Sequence, residues 1–189
     1  MTLTTLDPVT ALIVIDLQNA VVALPTAHPT DDVVRRSAQL ADAFRRHGLP
    51  VVLVRALGGA PGRTEAPRRL GGGPIPDGAA ELVTELTPQP GDHVVAKRTW
   101  GAFHETGLGE LLAGLGVTQV MVVGVATSAG VESTARAAHE HGLHVTLAVD
   151  AMTDMSAEAH ENSVGRIFPR LGETGTTDEV IALLEATRA

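Results

Sequence analysis

The chain predicts an α/β fold, three layers deep, with a mostly parallel central sheet, and three observations carry that expectation. Apolar runs of four to six residues recur along the chain, amphipathic helical stretches fall between them, and small or polar residues end each run. Alternation of this kind demands right-handed crossovers that lay helices on both sheet faces.

The first strand is Ala11-Leu-Ile-Val-Ile15, a continuous apolar run ending at Asp16, as a strand buried on both faces requires. From Asp31 to His47, Val33, Val34, Leu40, Ala41 and Phe44 recur at helical spacing, with Thr30 as N-cap, acids in the first turn and Gly48 as the stop. Residues 50–55 form the second strand, and residues 93–96 form the third, leading into Lys97. A short helix over residues 79–86 stands between them. Residues 118–123 and 144–149 are the fourth and fifth strands, and helices follow over residues 128–141, 156 to about 171, and 177–186. A single domain over residues 1–189 is expected.

A chain of 189 residues buries about 70% of its unfolded surface, so no disulfide or metal staple is needed. The formal net charge of −8 argues against a nucleic-acid surface. The N-terminus carries no basic region followed by a cleavage site, and the run from Ala11 to Ile15 is too short to span a bilayer. A cytoplasmic protein without a membrane partner is the expectation. There is no cysteine anywhere in the chain, so a thiolate nucleophile is excluded.

Asp16, Lys97 and Gly124–Thr127 each stand where a strand stops, and the carboxyl edge of a parallel sheet is where such folds bind ligands. Taken singly, an Asp there forms turns and a Lys there reaches solvent. Their convergence on one edge makes a candidate site. Residues 56–78, by contrast, are crowded with glycine and proline and carry Arg63, Arg68 and Arg69. That stretch reads either as a plain surface connection or as a lid whose arginines bind a carboxylate. It is not a phosphate loop, because no Gly-Lys-Ser or Gly-Lys-Thr closes it.

Asp16-Leu-Gln-Asn19, Lys97-Arg-Thr-Trp-Gly-Ala-Phe103 with Thr106-Gly-Leu108, and Gly124-Val-Ala-Thr-Ser-Ala-Gly130 together resemble the isochorismatase-like hydrolases over most of the chain. The resemblance implies their Rossmann-like αβα fold, a small-molecule and anionic substrate, no cofactor and a homo-oligomer. It makes Asp16 and Lys97 the catalytic pair and Gly130 the position where most of the family has its nucleophilic cysteine. By the same resemblance, Gln18, Trp100, Phe103, Val125, Ala126 and Thr127 border the substrate, and Val125–Ala126 matches the place where the family often has a cis peptide. Zinc-binding relatives use histidines downstream of the second strand. Here no histidine follows Arg55 until His93.

Without a thiol, the resemblance points to the branch that hydrolyses a vinyl ether such as isochorismate, with an acid delivering a proton to the terminal methylene carbon. Burial would keep Asp16 protonated and a charged Lys97 would oppose it, so the two form one coupled unit. Two other readings stay open: a non-catalytic binding or scaffold protein, and a hydrolase of another small metabolite with Asp16 as general base. Ser128 reads as the cap of its helix, and Ser133 as a helical hydroxyl bonded one turn back or facing solvent. His139 and His141 read as a polar helix end, and the resemblance makes His160 a weaker site candidate, on a helix that can border the pocket in the family.

Overall fold

The computed structural model of the protein describes residues 3–59, 62–65, 76 and 78–188. Six parallel strands form one sheet in the order β3-β2-β1-β4-β5-β6: β1 Thr10–Ile15, β2 Val51–Ala56, β3 His93–Lys97, β4 Gln119–Val125, β5 His144–Thr153 and β6 Glu173–Gly175. β1 and β4 lie at the centre and every residue of both is buried. Beyond Thr10 and Gln119 at their starts, which hydrogen-bond each other, both strands are apolar, since both faces must meet a hydrophobic layer.

Alternation along the strands divides the core in two. Leu12, Val14, Met121 and Val123 face the layer made by α2 (Thr30–Arg46) and α6 (Thr177–Thr187), where Phe44, Val180 and Leu184 are buried. Ala11, Ile13, Ile15, Val120 and Val122 face α3 (Leu108–Gly114) and α4 (Glu132–Glu140), with Leu112, Ala135 and Phe168. Helices thus cover both faces, as expected from the sequence. Among the described residues, no helix is long and apolar enough to cross a membrane.

Several elements differ from the sequence expectation for identifiable reasons. Residues 79–86 are not a helix: a turn, one antiparallel bridge between Gln18 and Leu82, and a single 3₁₀ turn at Thr84–Leu86 take their place. The backbone groups of this stretch pair with the chain leaving β1, through Asn19 N to Glu81 O, Ala20 N to Ala79 O and Val83 N to Leu17 O. The second of the partners, residues 19–22, is a short helix, α1 (Asn19–Val22). β5 runs on to Thr153, because the register slips between Val122 and Gly124 and bulges Asp150 out of the ladder without ending the strand. There Asp150 accepts hydrogen bonds from the Thr177 amide and hydroxyl at the start of α6.

Thr30 is the first residue of α2 instead of its cap; Pro29 precedes it, and the Thr30 hydroxyl pairs with that of Thr26. The stretch from residue 156 on is helical throughout but changes pitch: α5 (Ala157–Asn162), a π turn at Ser163–Ile167 and a 3₁₀ turn at Phe168–Arg170. α3 and β6 were not foreseen.

Gly124 is where the sheet tolerates least. Its φ is +115°, and a Cβ there would lie 2.1 Å from the carbonyl oxygen of Ile15 on the neighbouring strand. Gly124→Ala should therefore destabilise the protein by on the order of 4 kcal/mol or prevent folding, read as the urea midpoint. A loss below about 1 kcal/mol would contradict this close approach.

Candidate active site

Asp16 leaves β1 with a positive φ of 52°, which Asp adopts more readily than most residues, and its amide bonds to Val54 O on β2. The turn brings the carboxyl group over the strand ends. Lys97, the last residue of β3, reaches back across β2 and places Nζ 2.7 Å from Asp16 Oδ2. A second donor on the ammonium goes to the Trp100 carbonyl, at 2.5 Å. The pair is deeply enclosed, with Asp16 8% and Lys97 2% exposed.

Burial pushes the Asp16 carboxyl up from 3.8 to about 6, against the opposing pull of the Lys97 charge and hydrogen bond. The competition foreseen from the sequence is thus won by desolvation. Asp16 Oδ1 is buried and has no hydrogen-bond partner within the protein. A buried carboxyl oxygen without a partner is rare in folded proteins and marks Asp16 as a candidate functional residue.

Gly130 lies over this pair, in a π turn (Thr127–Val131) that joins β4 to α4. A Cβ on Gly130 would stand 3.2 Å from Lys97 Nζ and 3.3 Å from Asp16 Oδ2. Position 130 therefore faces the Asp16–Lys97 pair and carries no side chain of its own. The turn is held from both sides. Thr134 donates to Gly130 O at 2.7 Å and accepts from Ala102 N at 3.1 Å, tying it to the loop after β3. The preceding Val125–Ala126 peptide is cis, and Ala126 O accepts from Ala129 N and Val131 N.

Asp154, just beyond β5, fixes the same turn. Its Oδ2 accepts from both the amide and the hydroxyl of Ser128, each at 2.7 Å, while Oδ1 accepts from Ser156 N. Ser128 is therefore not a cap: Ala126 is the extended residue before the turn, and the Ser128 hydroxyl is committed to a carboxylate. Sequence reasoning missed Asp154. The available signal was that it follows a strand, as Asp16 does, but its partner lies 26 residues away.

The remaining expected residues fall into four groups. Val125, Ala126 and Thr127 are buried beside the turn, and Thr127 Oγ1 pairs with His160 Nδ1 at 2.9 Å. His160 also faces His28, with ring centroids 4.6 Å apart; burial first, and then His28, hold its pKa below the usual histidine value. Trp100 is 66% exposed, and Phe103 stacks on His141 at 4.9 Å. Gln18 is buried with its amide spent on the backbone: Nε2 donates to Ala56 O and Ala80 O, and Oε1 accepts from Ala56 N. Its role is to anchor both ends of the connection from 56 to 80. Arg63 is exposed, and Arg68 and Arg69 lie outside the described residues. Among the described residues, no cluster of three or more His, Asp or Glu side chains could hold a metal ion.

The architecture is a parallel αβα sheet with a buried carboxyl–ammonium pair at its carboxyl edge. The chain belongs to the isochorismatase family: the Isochorismatase domain matches residues 10–179. It is 39% identical over 177 residues to the isochorismatase family protein YwoC of Bacillus subtilis, covering 91% of this chain and 92% of that one. It is 33% identical to nicotinamidase 3 of Arabidopsis thaliana over 158 residues, covering 81% and 77%. The structure of an isochorismatase family protein from Burkholderia thailandensis superimposes with a TM-score of 0.89 at 38% identity, covering 96% and 98%. Relatives in this family are hydrolases.

Removing the Asp154 carboxylate should loosen the turn, so Asp154→Ala is expected to cost about 2–4 kcal/mol in urea unfolding by orphaning the Ser128 amide and hydroxyl. Ser128→Ala, which keeps the amide bond, should cost only about 1 kcal/mol. Equal losses would show that the hydroxyl, not the carboxylate, carries the turn.

Proposed function

We propose that the protein is a hydrolase that cleaves a vinyl ether, isochorismate or a related small anionic metabolite, by acid catalysis without a covalent intermediate. The observation that carries the reading is the buried Asp16 carboxyl, raised to about 6 and paired with Lys97, beneath a position 130 that offers no nucleophile. The protonated carboxyl gives its proton to the terminal methylene carbon, and the developing oxocarbenium ion is trapped by water. The resulting hemiketal collapses to pyruvate and an alcohol, and the proton released on water addition returns to Asp16. Lys97 keeps a cation beside the carboxylate once the proton has left.

Ser128 donates its hydroxyl to Asp154 and not to Asp16, so the carboxyl of the candidate pair is not placed to activate it as a nucleophile. The exposed Arg63, with Arg68 and Arg69, is proposed to attract the substrate's carboxylates. A substrate panel tests the class. Isochorismate and other vinyl ethers should be turned over, whereas nicotinamide and N-carbamoyl compounds should not; efficient nicotinamide hydrolysis would sink the mechanism. Tight binding of the panel with no turnover would instead favour a binding protein.

The pH profile separates acid from base catalysis at the same residue. Acid catalysis needs Asp16 protonated, so kcat/KM should be full below about pH 6 and fall roughly tenfold per unit above it. A general base would give the opposite limb, rising through that value. Because Lys97 pulls the Asp16 pKa down, Lys97→Met should move the limb to higher pH, whatever it does to the plateau. Asp16→Asn should lower kcat/KM by about 10²–10⁴. Unfolding midpoints must accompany it, because stranding the buried Lys97 charge can destabilise the fold by about 3–5 kcal/mol.

A further inference from the structure

The missing side chain at Gly130 points at two things: the Asp16–Lys97 pair and a methyl group. A Cβ there would lie 2.8 Å from Ile15 Cγ2, well inside the separation at which two carbon atoms attract. Ile15 has little freedom to give way. It is fully buried in β1 and paired on one side with Val54 of β2 and on the other with Gly124 of β4. Gly124 brings its bare Cα against the Ile15 backbone, so the strand cannot recoil towards β4. The β-branched side chain is stiff at χ1, and swinging Cγ2 away requires a full change of rotamer within a packed layer.

We infer, resting on the acid–lysine reading above, that Ile15 determines the reaction class of the site: its Cγ2 methyl occupies the volume that a nucleophilic side chain at position 130 would need. Two residues, not one, therefore exclude acyl-enzyme chemistry. Gly130 withholds the nucleophile and Ile15 closes the space behind it, so the three atoms nearest the missing Cβ are a methyl carbon, an ammonium nitrogen and a carboxyl oxygen.

Gly130→Cys alone, Ile15→Ala/Gly130→Cys and Ile15→Val/Gly130→Cys test this. The natural chain has no cysteine, so alkylation by iodoacetamide, in which the thiolate displaces iodide and a C–S bond forms, reports on position 130 alone. Near pH 6, the Ile15→Ala double variant should react about tenfold or more faster than the single variant, because its thiol can settle beside the Lys97 ammonium as thiolate. Valine keeps both γ carbons, so the Ile15→Val double variant should stay as slow as the single one. Equal rates in all three proteins, fast or slow, overturn the inference.

Should the Ile15→Ala variant fail to fold, melting temperatures decide. Gly130→Ala should lower Tm by about 2–4 °C or more, whereas Gly165→Ala, whose Cβ would meet nothing within 4 Å, should not. An unchanged Tm for Gly130→Ala would mean that Ile15 yields freely and bars nothing. Vinyl-ether turnover by the unmodified protein, measured in parallel, reports on the acid mechanism alone, so the two ideas fail separately.

Discussion

A carboxyl group and an ammonium enclosed side by side set the terms for everything around them. Removing each from water carries a penalty of several kcal/mol, and their mutual attraction offsets it only if the geometry is held. Lys97 and Asp16 belong to strands separated by β2, roughly 10 Å apart across the sheet at ordinary strand spacing. The four-carbon stem of Lys97 spans that distance over the end of β2, where its register partner is the small Ala56. Register, strand length and the left-handed turn at Asp16 are therefore all fixed by one contact.

The rest of the site is built to keep that contact rigid from above. Thr134 joins Gly130 to the loop carrying Trp100, and Asp154 joins the same turn to the end of β5. Asp154 also gives its carbonyl to Ala27 N, ahead of α2. Segments from residues 27, 102, 128 and 156 thus meet around one turn, and pre-organisation of this kind lets a carboxyl group act without reorganising its surroundings.

What was legible in the sequence follows from how local each signal is. β1 and β4 are readable because burial on both faces leaves no polar residue to interrupt their apolar runs; Asp16 stands out by following one of them, and Lys97 by ending the short apolar run of β3. Residues 79–86 misled because Ala79, Ala80, Leu82, Val83 and Leu86 imitate helical spacing, while their backbone partners lie some sixty residues earlier. β5 looked shorter because a bulge puts Asp150 inside it, and a polar residue in an apolar run reads as an end. α3 was hidden by Gly109 and Gly114, which lower helix propensity until tertiary packing of Leu108 and Leu112 overrides it. At the site, Ser128 and Asp154 are coupled over a distance no spacing rule covers, and Gln18 reads as a ligand-facing amide until its backbone partners are known.

Trp100 is the chain's one tryptophan, and the chain has no tyrosine. Its indole is largely in solvent, while its carbonyl oxygen holds the Lys97 ammonium. The protein's near-ultraviolet emission therefore arises from a single tryptophan, hydrogen-bonded through its backbone carbonyl to Lys97 of the buried pair. Solvent around that ring, and any molecule that displaces it, is reported by one spectrum, giving a titration of the site with no label and no second signal to subtract.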